Sequence, residues 1–116
     1  MEVQIFGVKK SADTRKALRF FSERRIRTHF VDLEEREISD GELQRFIQKF
    51  GVEALVDRTS KRFDELGMRH AQITSSRWIE KLIAEPTLLR LPLVRFGNQL
   101  SVGVDEAAWR AWQRGG

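Results

Sequence analysis

The chain has 116 residues, a length suited to one domain, with 41% hydrophobic residues, a third charged and a net charge of +4. It contains no cysteine, which excludes disulfides, thiolate metal sites and thiol catalysis, and its two histidines, His29 and His70, leave little for a histidine-based metal centre. No stretch is apolar for long enough to cross a bilayer and no secretory pattern follows "ME", so a cytoplasmic location is expected; the basic balance suits an anionic partner as well as a plain solvated surface.

"EVQIF" alternates polar Glu2 and Gln4 with apolar Val3, Ile5 and Phe6 and is bounded by Gly7, which predicts a strand. "SADTRKALRFFSERR" predicts a helix: Ser11 is a good N-cap, Asp13 favours the first turn, and Ala17, Leu18, Phe20 and Phe21 form the apolar face. Its arginines suit the last turn. "THFVDL" is rich in β-formers and predicts a second strand, parallel to the first because the crossover is a single helix.

From about residue 35 to 90 the pattern is helical, with no convincing strand. Ser39 and Glu42 form a capping box ahead of Leu43, Phe46, Ile47 and Phe50, and Gly51 ends that helix. "VEALVDR" adds a short helical piece. "SKRFDELGM" gives another, with Phe63 and Leu66 inward and Gly67 as stop. In "TSSRWIEKLIAEP", Trp78, Ile79, Leu82 and Ile83 share a face before Pro86. "LPLVRFGNQLSVGV" predicts a hairpin with its turn at Gly97-Asn98. "DEAAWRAWQR" predicts a last helix capped by Asp105, with at least one of Trp109 and Trp112 buried; only the terminal Arg-Gly-Gly looks loose.

Three segments together resemble the arsenate reductase (ArsC)/Spx/YffB family of bacterial glutaredoxin-like proteins. They are "IFGVKKSADTRKALRFF", "VDRTSKRFDELG" and "PTLLRLPLVRFGNQLSVGVDEAAW", in that order and covering nearly the whole chain. The resemblance implies an α/β, thioredoxin-like fold: a four-stranded mixed sheet built from residues 1–34 and 88–116, with an inserted helical subdomain at about 35–87. It also implies a cis peptide bond before Pro92, and a functional arginine at Arg58.

The chain departs from the family where the chemistry lies. Ser11 stands at the position of the catalytic cysteine and Thr14 at that of the second cysteine of the Spx-type pair. Leu91 stands at the active-site arginine before the proline, with Arg90 one residue earlier. Reducing arsenate or a disulfide needs a thiolate, and a serine hydroxyl barely ionises near neutral pH without an adjacent base. No histidine lies close in sequence. Three departures at separate positions also point away from a single replacement.

The expected site is therefore a ligand cradle without a nucleophile: Lys9, Lys10, Ser11, Ala12, Asp13, Thr14 and Arg15 at the start of the first helix, with Arg58, Arg90 and Pro92 from the other two motifs. Helix N–H groups and lysines there would attract an anion. The plainer readings are a simple N-cap for Ser11, solvated charge for the lysines, and a surface ion pair between Arg58 and Asp57 or Asp64. The function expected is a non-catalytic module binding a small oxyanion, a glutathione-like thiol or a protein partner, as a monomer. It needs no cofactor or metal, glutathione being the one small thiol the resemblance brings in. Two alternatives stand beside it: a working arsenate reductase or glutathione-dependent thiol oxidoreductase, and an Spx-like transcriptional regulator binding RNA polymerase. No nucleic-acid-binding motif accompanies the arginines of the first helix, so direct nucleic-acid binding is not expected.

Overall fold

The computed structural model describes residues 1–115, apart from the side chains of His70 and Ser75; of the terminal Arg-Gly-Gly expected to be loose, Arg114 and Gly115 belong to the last helix and Gly116 lies outside the described residues. The elements in chain order are β1 (Glu2–Gly7), α1 (Ala12–Glu23), β2 (Arg27–Asp32), α2 (Asp40–Phe50), α3 (Val52–Leu55), α4 (Lys61–Glu65), α5 (Ser75–Ala84), β3 (Leu93–Phe96), β4 (Gln99–Val102) and α6 (Glu106–Gly115). Single 3-10 turns occupy Met68–His70 and Pro86–Leu88. The chain divides into two compact units, one comprising Met1–Arg36 with Leu91–Gly116 and the other Glu37–Arg90.

The first unit holds a four-stranded mixed sheet in the order β2-β1-β3-β4. β1 pairs in parallel with β2, from Glu2↔Arg27 to Gly7↔Asp32, and antiparallel with β3. β3 and β4 form the expected hairpin around Gly97 and Asn98. Alternation along β1 sends Val3 and Ile5 to one face, where they join Val94 of β3, Ala17, Phe20 and Phe21 of α1, and Trp109 and Trp112 of α6 in a buried cluster. Phe20, Phe21 and Trp109 lie mutually 5.1–5.3 Å apart, ring centre to ring centre. Both tryptophans of α6 are buried, so neither is available as an exposed partner surface. The Trp109 indole N–H donates to Ser101 Oγ at 2.9 Å, which satisfies the one polar atom that this burial would otherwise strand.

α1 is shorter than its sequence suggests. It stops at Glu23, and Arg24 and Arg25 form the exit, not the last turn. The chain must reverse into β2 there. Arg25 takes a left-handed conformation (φ 56°) so that the Ile26 N–H can reach the Phe21 carbonyl at 3.0 Å. The Arg24 guanidinium donates to the Phe20 carbonyl and lies 3.6 Å over the Phe20 ring. It thus still serves the helix C-terminus, from outside the helix.

The second unit is helical. Ser39 caps α2 through the Glu42 N–H, Ser60 caps α4 through the Phe63 N–H, and α2 packs against α5. Leu43, Phe46, Leu55, Phe63 and Leu82 are buried. One isolated bridge, Val56↔Leu89, is the only β-pairing in this unit among the described residues. Arg62 and Glu85, 23 residues apart, form a two-pronged pair with both contacts at 2.9 Å and so tie α4 to the end of α5. Hydrogen bonding and charge from Arg62 hold the Glu85 carboxyl below the usual carboxylate range. Among the described residues, no helix is long and apolar enough to cross a membrane.

Candidate anion site at the start of the first helix

The site grows from a close contact. A Cβ built on Gly7 would lie 2.5 Å from Thr14 Oγ1 and 2.6 Å from Thr14 Cγ2. Glycine at the end of β1 therefore lets the first turn of α1 press directly on the strand. Thr14 is fully buried there, and its hydroxyl has no hydrogen-bond partner among the described residues. The connection is short and closed: the Ser11 N–H donates to the Val8 carbonyl at 3.1 Å, and the Arg15 guanidinium reaches back to the Lys9 carbonyl at 2.7 Å. A backbone held at both ends presents its helix start in one orientation.

Ser11 caps that start. Its Oγ accepts the Thr14 N–H at 3.1 Å and its carbonyl accepts the Arg15 N–H at 3.0 Å. The N–H groups of Ala12 and Asp13 have no partner among the described residues. These two donors carry the positive end of a twelve-residue helix. Lys10 is exposed and unpaired among the described residues, whereas Lys9 lies 3.9 Å from Asp32. Asp13 places a negative charge in the same turn, which suits the helix but opposes an incoming anion.

Strand register adds two neighbours. Asp32 pairs with Gly7 on one side, and Leu93 pairs with Phe6 on the other, which sets Pro92 across from Gly7. The Leu91–Pro92 bond is cis, and the Pro92 carbonyl accepts the Gly103 N–H at 2.8 Å. Leu91, at the position where an arginine was implied, is buried.

Seven of the expected site residues, Lys9 to Arg15, share this loop and first turn, and Pro92 stands at the same end of the sheet. Arg58 and Arg90 belong to the second unit. Arg58 is held by Glu53 in a two-pronged pair, with contacts of 2.7 and 2.9 Å, rather than by Asp57 or Asp64. Asp57 instead accepts from Thr59, and Asp64 pairs with Arg69. The Arg90 N–H donates to the Leu55 carbonyl at 2.7 Å, and its side chain is exposed. Asp32 and Gly7 were not among the sequence candidates. Gly7 was visible only as a strand end, and Asp32 becomes part of the site only through the parallel register.

Chemically, the arrangement can hold a small anion by N–H donors and a cation. Ser11 Oγ is a hydrogen-bond acceptor within the helix cap, and no base contacts it among the described residues. Among those residues no group of three histidine, aspartate or glutamate side chains is placed to hold a metal ion.

A parallel β-α-β start, an antiparallel hairpin and a closing helix on one mixed sheet, with a cis-proline across from a capped helix start, define a thioredoxin-like protein. The model of the ArsC family matches residues 6–112, and the chain belongs to that family. Solved structures of similar shape include a YFFB protein (23% identity, TM-score 0.85, covering 94% of this chain and 96% of that one). Another is a putative ArsC family related protein from Bacteroides fragilis (18% identity, TM-score 0.83, 96% and 97%). A third is an arsenate reductase from Vibrio cholerae (21% identity, TM-score 0.78, 97% of each chain). At these identities the likeness is one of fold. No curated protein matches the chain significantly.

Proposed function

We propose that this ArsC-family chain works by binding and not by catalysis, and that its ligand is a small oxyanion held at the start of α1. One observation carries the reading: the N–H groups of Ala12 and Asp13, without partners among the described residues, stand behind the Ser11 cap, and Lys10, exposed and likewise unpaired, precedes them in the same loop. N–H donors that are fixed before the ligand arrives cost nothing to reorganise and favour a charged oxygen over a neutral solute. The reductase reading is supported by what relatives are called, but not by the residues here. The chain has no cysteine to form the bond to sulfur or arsenic that such chemistry passes through.

The test is an NMR titration with sulfate, phosphate and arsenate. The amides of Ala12, Asp13 and Thr14 are expected to shift first, and Lys10→Glu to weaken the response. Ser11→Gly, still a tolerable cap, should weaken it less. Shifts confined to Arg24 and Arg25, or none in the millimolar range, would sink the proposal.

A further inference from the structure

β2 is an outer strand, with no strand beyond it among the described residues. The Leu33 N–H donates to the Gly7 carbonyl at 2.8 Å, and in a parallel ladder this fixes the alternation. His29, Val31 and Leu33 turn their backbone groups toward β1, while Thr28, Phe30 and Asp32 turn theirs outward. The Asp32 carbonyl is taken by the N–H groups of Glu35 and Arg36, at 3.0 and 3.1 Å. Thr28 and Phe30 each keep an N–H and a carbonyl without a partner among the described residues. Outer strands are usually blunted by a proline, a bulge or brevity. β2 keeps unbroken register over six residues and contains no proline. Beside it lies a depression of about 400 Å³, lined by His29, Phe30, Val31 and Asp32, by Glu35 and Arg36 beyond the strand, and by Lys9 of the loop before α1.

The charges along this edge choose the occupant. Arg24, Arg25 and Arg27 precede the central residues Thr28 to Val31, and Asp32, Glu34 and Glu35 follow them, ahead of Arg36; within the chain Arg27 lies 4.0 Å from Glu2 and Asp32 3.9 Å from Lys9, which leaves Arg25, Glu34 and Glu35 as the charges to be met. The sign inverts about the middle of the strand. A strand of the same sequence running the opposite way meets it with acid against base at both ends, and a two-fold contact between identical chains has this property automatically. The geometry points to a second copy of this chain: two β2 strands pair antiparallel about a two-fold axis at His29, joining two four-stranded sheets into one.

Hydrogen bonding selects that register. Centred on His29, the pairing sets Thr28 of each copy opposite Phe30 of the other. It uses every unpartnered group on the two residues and asks nothing of the occupied Asp32 carbonyl. A register centred on Phe30 would need that carbonyl. In the favoured register the two His29 side chains face each other, and Arg25 approaches the acidic end of the second copy. The contact is short and its rim is charged, so the dimer is weak, salt-sensitive and concentration-dependent. It departs from the monomer expected from the sequence, and its hydrogen-bonding argument rests on the outward groups of Thr28 and Phe30, not on the anion site.

Sedimentation of the full chain tests this. At low salt the mean mass should rise from 13.6 kDa toward twice that value as protein approaches the millimolar range, and added salt should reverse the rise. Arg25→Glu with Arg27→Glu makes both ends acidic; Glu34→Arg with Glu35→Arg makes both ends basic. Each variant alone should be monomeric, and an equimolar mixture should associate again, because each copy then supplies what the other lacks. The chain has no cysteine, so His29→Cys places one thiol at the two-fold axis. It should form a disulfide-linked dimer at least tenfold faster than Gln113→Cys, on the exposed face of α6. Circular dichroism would confirm that each variant is folded. A monomer at millimolar concentration and low salt overturns the inference. So does a dimer indifferent to both charge reversals, or His29→Cys linking no faster than the α6 control.

Discussion

Replacing Gly7 with alanine puts a methyl group where the Thr14 side chain already is. The new Cβ would sit 2.5 Å from Oγ1 and 2.6 Å from Cγ2, well inside van der Waals contact. The backbone itself is no obstacle, since Gly7 is not in the left-handed region. The whole cost is therefore steric, and overpacking of this kind costs about 1–3 kcal/mol. For a chain of this length that corresponds to a fall in Tm of roughly 4–15 °C. Thr14→Ala removes both clashing atoms and leaves only Cβ, at 3.1 Å from the new methyl. By itself Thr14→Ala should be close to neutral: a buried methyl is lost, at about 1 kcal/mol, but an unpartnered buried hydroxyl goes with it. In the double variant most of the damage from Gly7→Ala should disappear, giving a coupling of at least about 1 kcal/mol. Thermal and urea unfolding of the four chains measures it. If Gly7→Ala lowers stability equally in both backgrounds, then the close packing of β1 against the first turn of α1 does not hold the loop.

Four further outcomes follow from the same geometry. Ser11→Ala should cost about 1 kcal/mol of stability and Ser11→Gly only a few tenths, read from denaturant midpoints: both remove the acceptor of the Thr14 N–H, but glycine leaves the helix start open to water and free to adjust its backbone. Asp13→Asn should tighten anion binding measured by calorimetry at low salt, since it removes the like charge from the first turn. Ser11→Cys should yield a thiol titrating below the ordinary value of about 8.5, followed by its alkylation rate against pH. The Arg62–Glu85 pair gives an acid limb. Glu85 has its pKa lowered from 4.5 in the folded chain, so its contribution is present above 4.5 and is lost as pH falls through the lower folded value. Glu85→Gln should flatten that part of the stability profile, and an unchanged profile would count against the pair.

The strands and helix starts were legible because each rests on local rules. β1 alternates, Ser11, Ser39 and Asp105 stand where caps belong, and Gly97-Asn98 marks the hairpin turn. The exit of α1 was not legible. Arg24 and Arg25 are good helix residues, and only the demand that Ile26 enter β2 forces Arg25 into a left-handed conformation. Contacts between residues far apart in sequence were hidden for the same reason. Nothing near Gly7 announces Thr14, nothing near Arg62 announces Glu85, and the choice of Glu53 for Arg58 depends on how α3 and the following turn are set. Within the loop, the sequence showed which residues are present but not how they are engaged. Lys9 turns to Asp32 and Arg15 to the backbone, which leaves Lys10 as the cation without a partner among the described residues.

The sheet unit is discontinuous: its central pairing joins Ile5 to Val94, across an intervening unit that is continuous from Glu37 to Arg90. During synthesis, β1, α1 and β2 emerge first and must wait for β3 before the sheet can close. The segment between has all its own elements in hand by then. If it folds early, the effective length of chain to be closed shrinks and the entropic barrier to β1–β3 pairing falls with it. The chain carries its own reporters of this order, since Trp78 lies in the continuous unit while Trp109 and Trp112 lie in the discontinuous one, and there is no tyrosine to blur their fluorescence. Stopped-flow refolding of a Trp78→Phe chain beside a Trp109→Phe/Trp112→Phe chain should show the Trp78 signal leading, and late closure of the sheet should set the slowest phase that both share.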